Sequence, residues 1–193
     1  MIKLKNISLA FDGRPVFTDV SLEIPTRGVT VFRGSSGAGK TTLFRLLLGL
    51  QKPDCGVIEG FPFKKPAVVF QEDRLLPWAS ALENAALVSD AGTAEQTIGE
   101  LGLCENLCQL PRELSGGMRR RVALARALSY GGDALFLDEP FTGLDEANKE
   151  IAVKAILSSG VPVYVITHDD AEAELFGDHS TVTIRPQSGE KLA

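Results

Sequence analysis

Apolar and polar positions alternate from the start of the chain. "IKLKNISLAF" (residues 2–11) predicts a strand, a turn follows at Asp12-Gly13-Arg14-Pro15, and "VFTDVSLEI" and "GVTVF" predict two more strands. The period then changes. Leu43, Leu46, Leu47 and Leu50 recur at helical spacing over Thr41 to Leu50, and Pro53 and Gly56 end that helix. "PAVVFQ" (66–71) predicts a strand. From about Glu72 to Leu114 no strand-like run occurs; "ASALENAALV" and "TAEQTIGELGL" predict helical pieces broken by Pro77, Gly92, Gly102 and Pro111. Beyond them the pattern predicts a helix from Gly116 to Tyr130, a buried strand "ALFLD" (134–138) and a helix near 145–158. A strand "PVYVIT" (162–167), a short helix and a strand "STVTIRP" (180–186) complete it.

Continuous apolar strands alternating with helices predict an α/β fold with a parallel sheet covered on both faces. Residues 1–70 and 116–193 form the α/β core with its N-terminal β strands, and residues 71–115 form an inserted helical subdomain. The whole is one domain, and its length suffices for a full core.

Composition narrows the partners. With a formal net charge of -5, the chain offers no general basic field to nucleic acid or anionic lipid, so no nucleic-acid partner is expected. No apolar run is long enough to span a bilayer, and the N-terminus has no signal-peptide core. A cytoplasmic location is expected, with any membrane attachment supplied by another subunit. Cys104 and Cys108 stand four apart without a nearby third and fourth ligand, which reads as half-buried helix cysteines rather than a zinc site.

The chemistry begins at Gly34-Ser35-Ser36-Gly37-Ala38-Gly39-Lys40-Thr41, which fits G-x-x-x-x-G-K-[ST] between a strand and a helix. Such a loop converges backbone N–H groups on phosphate oxygens at a helix start, where the dipole favours anions. Lys40 would reach the β- and γ-phosphates, and the Thr41 hydroxyl would help hold Mg²⁺. A bare Gly/Ser turn is the plain alternative. Three other predicted strands end in polar groups: Gln71, Asp138 followed by Glu139, and His168. At the carboxyl end of a parallel sheet these suit phosphate chemistry. Asp138 and Gln71 are candidate metal contacts, and Glu139 is placed to polarise a hydrolytic water.

A second glycine-rich helix start, "LSGG" (114–117), follows the helical stretch. Taken in order, these motifs resemble an ATP-binding cassette (ABC) ATPase over essentially the whole chain, with wording similar to nitrate, sulfonate and taurine importer cassettes. The resemblance implies a P-loop NTPase core of RecA-like type. It implies that Phe11 stacks on adenine, that Gly34 to Thr42 cradle ATP with Mg²⁺, and that Gln71, Glu139 and His168 serve hydrolysis. It implies further that Ser115, Gly116 and Gly117 of the signature, with Asp145 of "GLD", meet the nucleotide held by a second cassette. Met118 departs from the family, which most often has Gln there, and the chain is short between Gly56 and Ala67.

The same resemblance implies a homodimer, transmembrane permease subunits contacting Gln71–Trp78, a solute-binding protein, and a seat on the cytoplasmic face of the membrane. The crowded Leu75, Leu76, Pro77 and Trp78 read as an interface, with packing inside the lobe as the alternative. Arg119 to Arg121 suggest either an anionic partner or a solvated basic face. A soluble cassette acting on protein or nucleic acid, and a small-molecule P-loop kinase, are the other readings. The first usually carries two cassettes or a coiled-coil insertion, and the second does not need "LSGG".

Overall fold

The computed structural model describes residues 1–185. The chain runs β1 (Ile2–Phe11), β2 (Arg14–Ile24), β3 (Val29–Arg33), α1 (Lys40–Leu47), β4 (Cys55–Glu59) and β5 (Pro66–Val69). It continues through α2 (Ala81–Ala85), α3 (Ala91–Glu100) and α4 (Gly116–Ser129). Then come β6 (Ala134–Asp138), α5 (Glu146–Ser158), β7 (Val163–Ile166), α6 (Asp170–Glu174) and β8 (Ser180–Thr183). One sheet is antiparallel in the order β2-β1-β4, and the other is parallel in the order β5-β6-β7-β3-β8.

The central strands are apolar on both faces because both faces are covered. Val31, Leu135, Leu137, Val163 and Val165 point to one side, into an apolar cluster shared with α4, α5 and the lobe residues Ala81, Ile98, Leu101 and Leu114. Phe32, Ala134, Phe136, Tyr164 and Ile166 point to the other, against α1 and the antiparallel sheet. There Phe136 and Tyr164 stack with ring centroids 4.5 Å apart. The lobe therefore shares its core with the sheet through α4.

The predicted α/β fold holds, with local corrections. The turn after β1 is Asp12-Gly13, both with positive φ (49° and 75°), and β2 begins at Arg14. That is the two-residue hairpin geometry that matches strand twist. Leu50 lies past the end of α1. Strand β4 escaped the reading because "CGVIE" is mostly exposed and carries no alternation; pairing with β1 (Leu4↔Ile58, Lys5↔Val57) makes it a strand. Of the predicted last strand, 180–183 is β8 and Pro186 lies outside the described residues. Cys104 opens a 3₁₀ turn and Cys108 lies beyond it; both are exposed thiols, not half-buried helix residues. Among the described residues, no cluster of three or more His, Cys, Asp or Glu could hold a metal.

Candidate ATP site

A cavity of about 530 Å³ opens at the carboxyl ends of β3, β5, β6 and β7. The sheet brings four separate segments there: the 36–42 loop and helix start, Gln71, Asp138 with Glu139, and His168. Val16 and Ile166, which the sequence did not single out, also line it. Nothing in their apolar character distinguishes them from core residues.

Gly39 caps α1 with φ 91°, and a Cβ there would lie 2.8 Å from Val16 Cγ1 and 2.9 Å from Phe17 Cζ. Left-handed backbone and a pressing β2 wall together demand glycine. Lys40 is buried and curls back over the loop, its Nζ donating to the carbonyls of Gly34 (2.8 Å) and Ser35 (3.0 Å). An anion seated in the loop would meet that ammonium and the first-turn amides of α1.

Asp138, the last residue of β6, is 4% exposed and accepts a hydrogen bond from the Thr41 hydroxyl at 2.6 Å. Burial raises its carboxyl above the ordinary value, and the Thr41 bond only partly offsets this. A partly dehydrated carboxylate beside a hydroxyl, with the Gln71 amide lining the same cavity, is an oxygen donor set that fits Mg²⁺.

Glu139 follows with φ 48°, a left-handed conformation that costs a non-glycine residue on the order of 1–3 kcal/mol. Its backbone is held on every side. The N–H donates to Ile166 O at 2.9 Å, and the carbonyl accepts from Thr142 Oγ1 (3.1 Å) and an Arg120 nitrogen (2.7 Å). The turn leaves its carboxylate half-buried, with Oε1 3.3 Å from His168 Nδ1. His168 is exposed, and the following Asp169 caps α6 through Ala171 N.

The remaining candidates lie elsewhere. Ser115 caps α4, its Oγ accepting from Met118 N at 3.2 Å. A Cβ on Gly117 would lie 2.5 Å from the carbonyl oxygen of Gly143, so the signature packs directly on the "GLD" turn. Asp145 caps α5 through Asn148 N at 2.9 Å. Neither the signature nor Asp145 lines this chain's own cavity, and Phe11 stands exposed at the β1–β2 hairpin, also outside it. The Met118 side chain packs partly buried against the apolar cluster.

The three arginines correct the earlier reading. Arg119 donates to Leu114 O, Arg121 donates to Leu101 O, and Arg120 is 2% exposed. All three close on backbone carbonyls, and Arg120 and Arg121 are buried, whereas the Arg119 side chain stays partly exposed. Trp78 is 74% exposed, whereas Leu75 packs inward against the apolar cluster. The segment is held by buried Asn84, which accepts from Leu76 N and donates to the carbonyls of Leu76, Ala79 and Ser80. A buried asparagine with all its groups satisfied fixes the loop that presents Trp78.

A glycine-rich phosphate loop, a strand-end aspartate beside its threonine, and a following glutamate define the class: a P-loop nucleotide-binding ATPase. Comparison with known proteins carries this further. Residues 17–142 match the ABC transporter family. The chain is 40% identical over 190 residues to the aliphatic sulfonates import ATP-binding protein SsuB 3 of Paraburkholderia xenovorans, covering 94% of this chain and 76% of that one. It is 38% identical over 204 residues to the taurine import ATP-binding protein TauB of Chromobacterium violaceum, covering 95% and 78%. The dimeric structure of the bacterial ABC transporter cassette MJ0796 superposes with a TM-score of 0.82 at 26% identity, covering 97% of each chain. A second MJ0796 dimer, in a post-hydrolysis state bound to ADP and Pi, gives a TM-score of 0.81. The chain belongs to the ABC transporter family of ATP-hydrolysing cassettes.

Proposed function

We propose that this chain drives solute import as one of two identical cassettes, which pack head to tail around two ATP molecules. One observation carries the proposal: the signature turn Ser115-Gly116-Gly117 starts a helix, yet does not line the cavity of its own chain. First-turn amides have no intrahelical acceptor and suit a phosphate. In a head-to-tail pair that phosphate is the γ-phosphate bound by the partner subunit, with Asp145 beside it.

In the closed pair, the amides of the 34–41 loop and Lys40 bind the β- and γ-phosphates. Thr41, Asp138 and Gln71 would hold Mg²⁺, which would neutralise phosphate charge when bound. Glu139 orients and polarises a water in line with the γ-phosphate. The water oxygen bonds to phosphorus while its proton passes to the Glu139 carboxylate, the bond to the β–γ bridging oxygen breaks, and ADP and phosphate remain. His168 positions the Glu139 carboxylate, and Phe11 at the β1–β2 hairpin stacks on the base.

The rigidly presented Trp78 and the segment from Gln71 support docking of transmembrane permease subunits. Docked on those subunits, the cassette sits on the cytoplasmic face of the membrane; among the described residues, no helix is long and apolar enough to cross a membrane. Import, and a solute-binding protein to deliver the solute, follow from the sulfonate and taurine importers that the chain resembles. The test is the solution mass of Glu139→Gln with and without Mg-ATP, by light scattering after gel filtration. A monomer that doubles its mass only with Mg-ATP is expected. A monomer under both conditions, with ATP bound, overturns the head-to-tail site.

A further inference from the structure

Arg120 lies on the second turn of α4, the helix whose first turn is the signature, and its guanidinium is buried where two active-site segments meet. One terminal nitrogen donates to Phe70 O at 2.6 Å and to Gln71 O at 3.3 Å, and sits 3.2 Å from Asp73 Oδ1. The other donates to Asp138 O and, at 2.7 Å, to Glu139 O. Four carbonyls from two strand ends thus converge on one side chain. Burial disfavours its charge, and Asp73 offsets that cost only in part. A planar fork can bond both segments at once, whereas an ammonium acts as a point charge.

We infer that Arg120 is a positioning residue for ATP hydrolysis: it ties the backbone of Gln71 to that of Glu139, and both to the signature helix. Glu139 stays left-handed only because its surroundings impose that conformation, and Arg120 supplies one of its carbonyl bonds. The carboxylate that polarises water is therefore set by the same helix that reaches the partner's nucleotide. A displacement of the 70–73 segment reaches Glu139 through a single rigid group. Lys40 donates to Gly34 and Ser35 and shares no hydrogen bond with this fork, so the effect of the fork falls on the segments carrying Gln71 and Glu139 rather than on the phosphate loop.

The inference rests on Glu139 as the polarising residue, so Glu139→Gln is measured in parallel. The variants are Arg120→Met, which removes the fork, and Arg120→Lys, which keeps a cation for Asp73 but cannot bridge both segments. Steady-state ATPase assays of the full chain are run below the melting temperature of each variant. Both variants are expected to lose about tenfold or more in kcat while the ATP KM stays within about twofold, the signature of a transition-state effect. A folded Arg120→Met with wild-type kcat overturns the inference. Should Arg120→Met fail to fold, Arg120→Lys decides, and full activity there reduces Arg120 to a buried counter-charge. If Glu139→Gln itself keeps its turnover, the site reading fails instead, and the two failures are distinct.

Discussion

Two helices of this chain begin in glycine, and they use it differently. At 34–39 the glycines adopt positive φ, and Gly39 turns the backbone into α1 against the side chains of Val16 and Phe17. No side chain caps that helix, so its first amides are left without a side-chain acceptor. At 115–117 the backbone is ordinary: Ser115 is extended, its hydroxyl caps the helix, and neither Gly116 nor Gly117 has positive φ. Gly117 is needed because the Gly143 carbonyl approaches to 2.5 Å of where a Cβ would be. Gly116 has room; the nearest atom to its Cβ would be an Arg119 nitrogen at 3.9 Å. One loop opens its glycines and lysine onto a cavity of its own chain. The other is a surface braced from behind and open in front, which is what a contact in trans requires.

Breaking the cradle has the largest effect. Lys40→Ala should weaken ATP binding by about 100-fold or more, because a buried ammonium and its charge-assisted bonds to phosphate are lost. Isothermal titration with ATP checks this, and wild-type affinity would remove Lys40 from the site. Ser115→Arg sharpens the contrast. It should leave ATP binding intact while turnover falls by about 100-fold, since a bulky cation blocks the partner's γ-phosphate seat. Turnover at the wild-type rate would refute a signature working in trans.

The two signature glycines separate bracing from contact. Gly117→Ala forces a methyl onto the Gly143 carbonyl and should destabilise the fold by about 1–3 kcal/mol in urea unfolding. Gly116→Ala should leave stability unchanged and lower only the ATP-driven dimerisation. Equal stability in both variants would mean that the "GLD" turn yields easily.

The smallest effect concerns Asp138. Its folded carboxyl titrates above the ordinary 3.8, because burial outweighs the Thr41 bond. It therefore favours folding below that ordinary value and loses the contribution as pH rises through the raised one. Asp138→Asn should raise the melting temperature of the nucleotide-free protein at neutral pH by about 2–4 °C. The same variant should lose the added stabilisation by Mg-ATP. A lower melting temperature would show that the carboxylate is stabilised by Lys40 and Arg120 more than burial costs it.

Much of the site was legible because its parts are local. The phosphate loop needs glycine at fixed spacing beside a lysine, and "ALFLD" needs five apolar-to-acidic residues in a row; β6 spans those residues. Alternation located β1, continuous apolar runs located the parallel strands, and a serine before glycines located the start of α4. Strand β4 was invisible because its reason to be a strand lies in β1, some fifty residues earlier.

The arginines teach the same lesson from the other side. Three consecutive charges look like a surface, since burying a guanidinium is costly unless acceptors are waiting. Whether they wait depends on the meeting of β5 and β6 with α4, which no local pattern records. The sequence by itself determined the chemistry available: which groups suit phosphate, which carry charge, and in what order they come. Only the tertiary structure decided that Gln71, Asp138, Glu139 and His168 share one cavity, that the signature stays outside it, and that Arg120 joins two of its walls. Spacing along a chain fixes a loop or a helix, but the sides of a cavity come from strands whose order in the sheet differs from their order in the sequence.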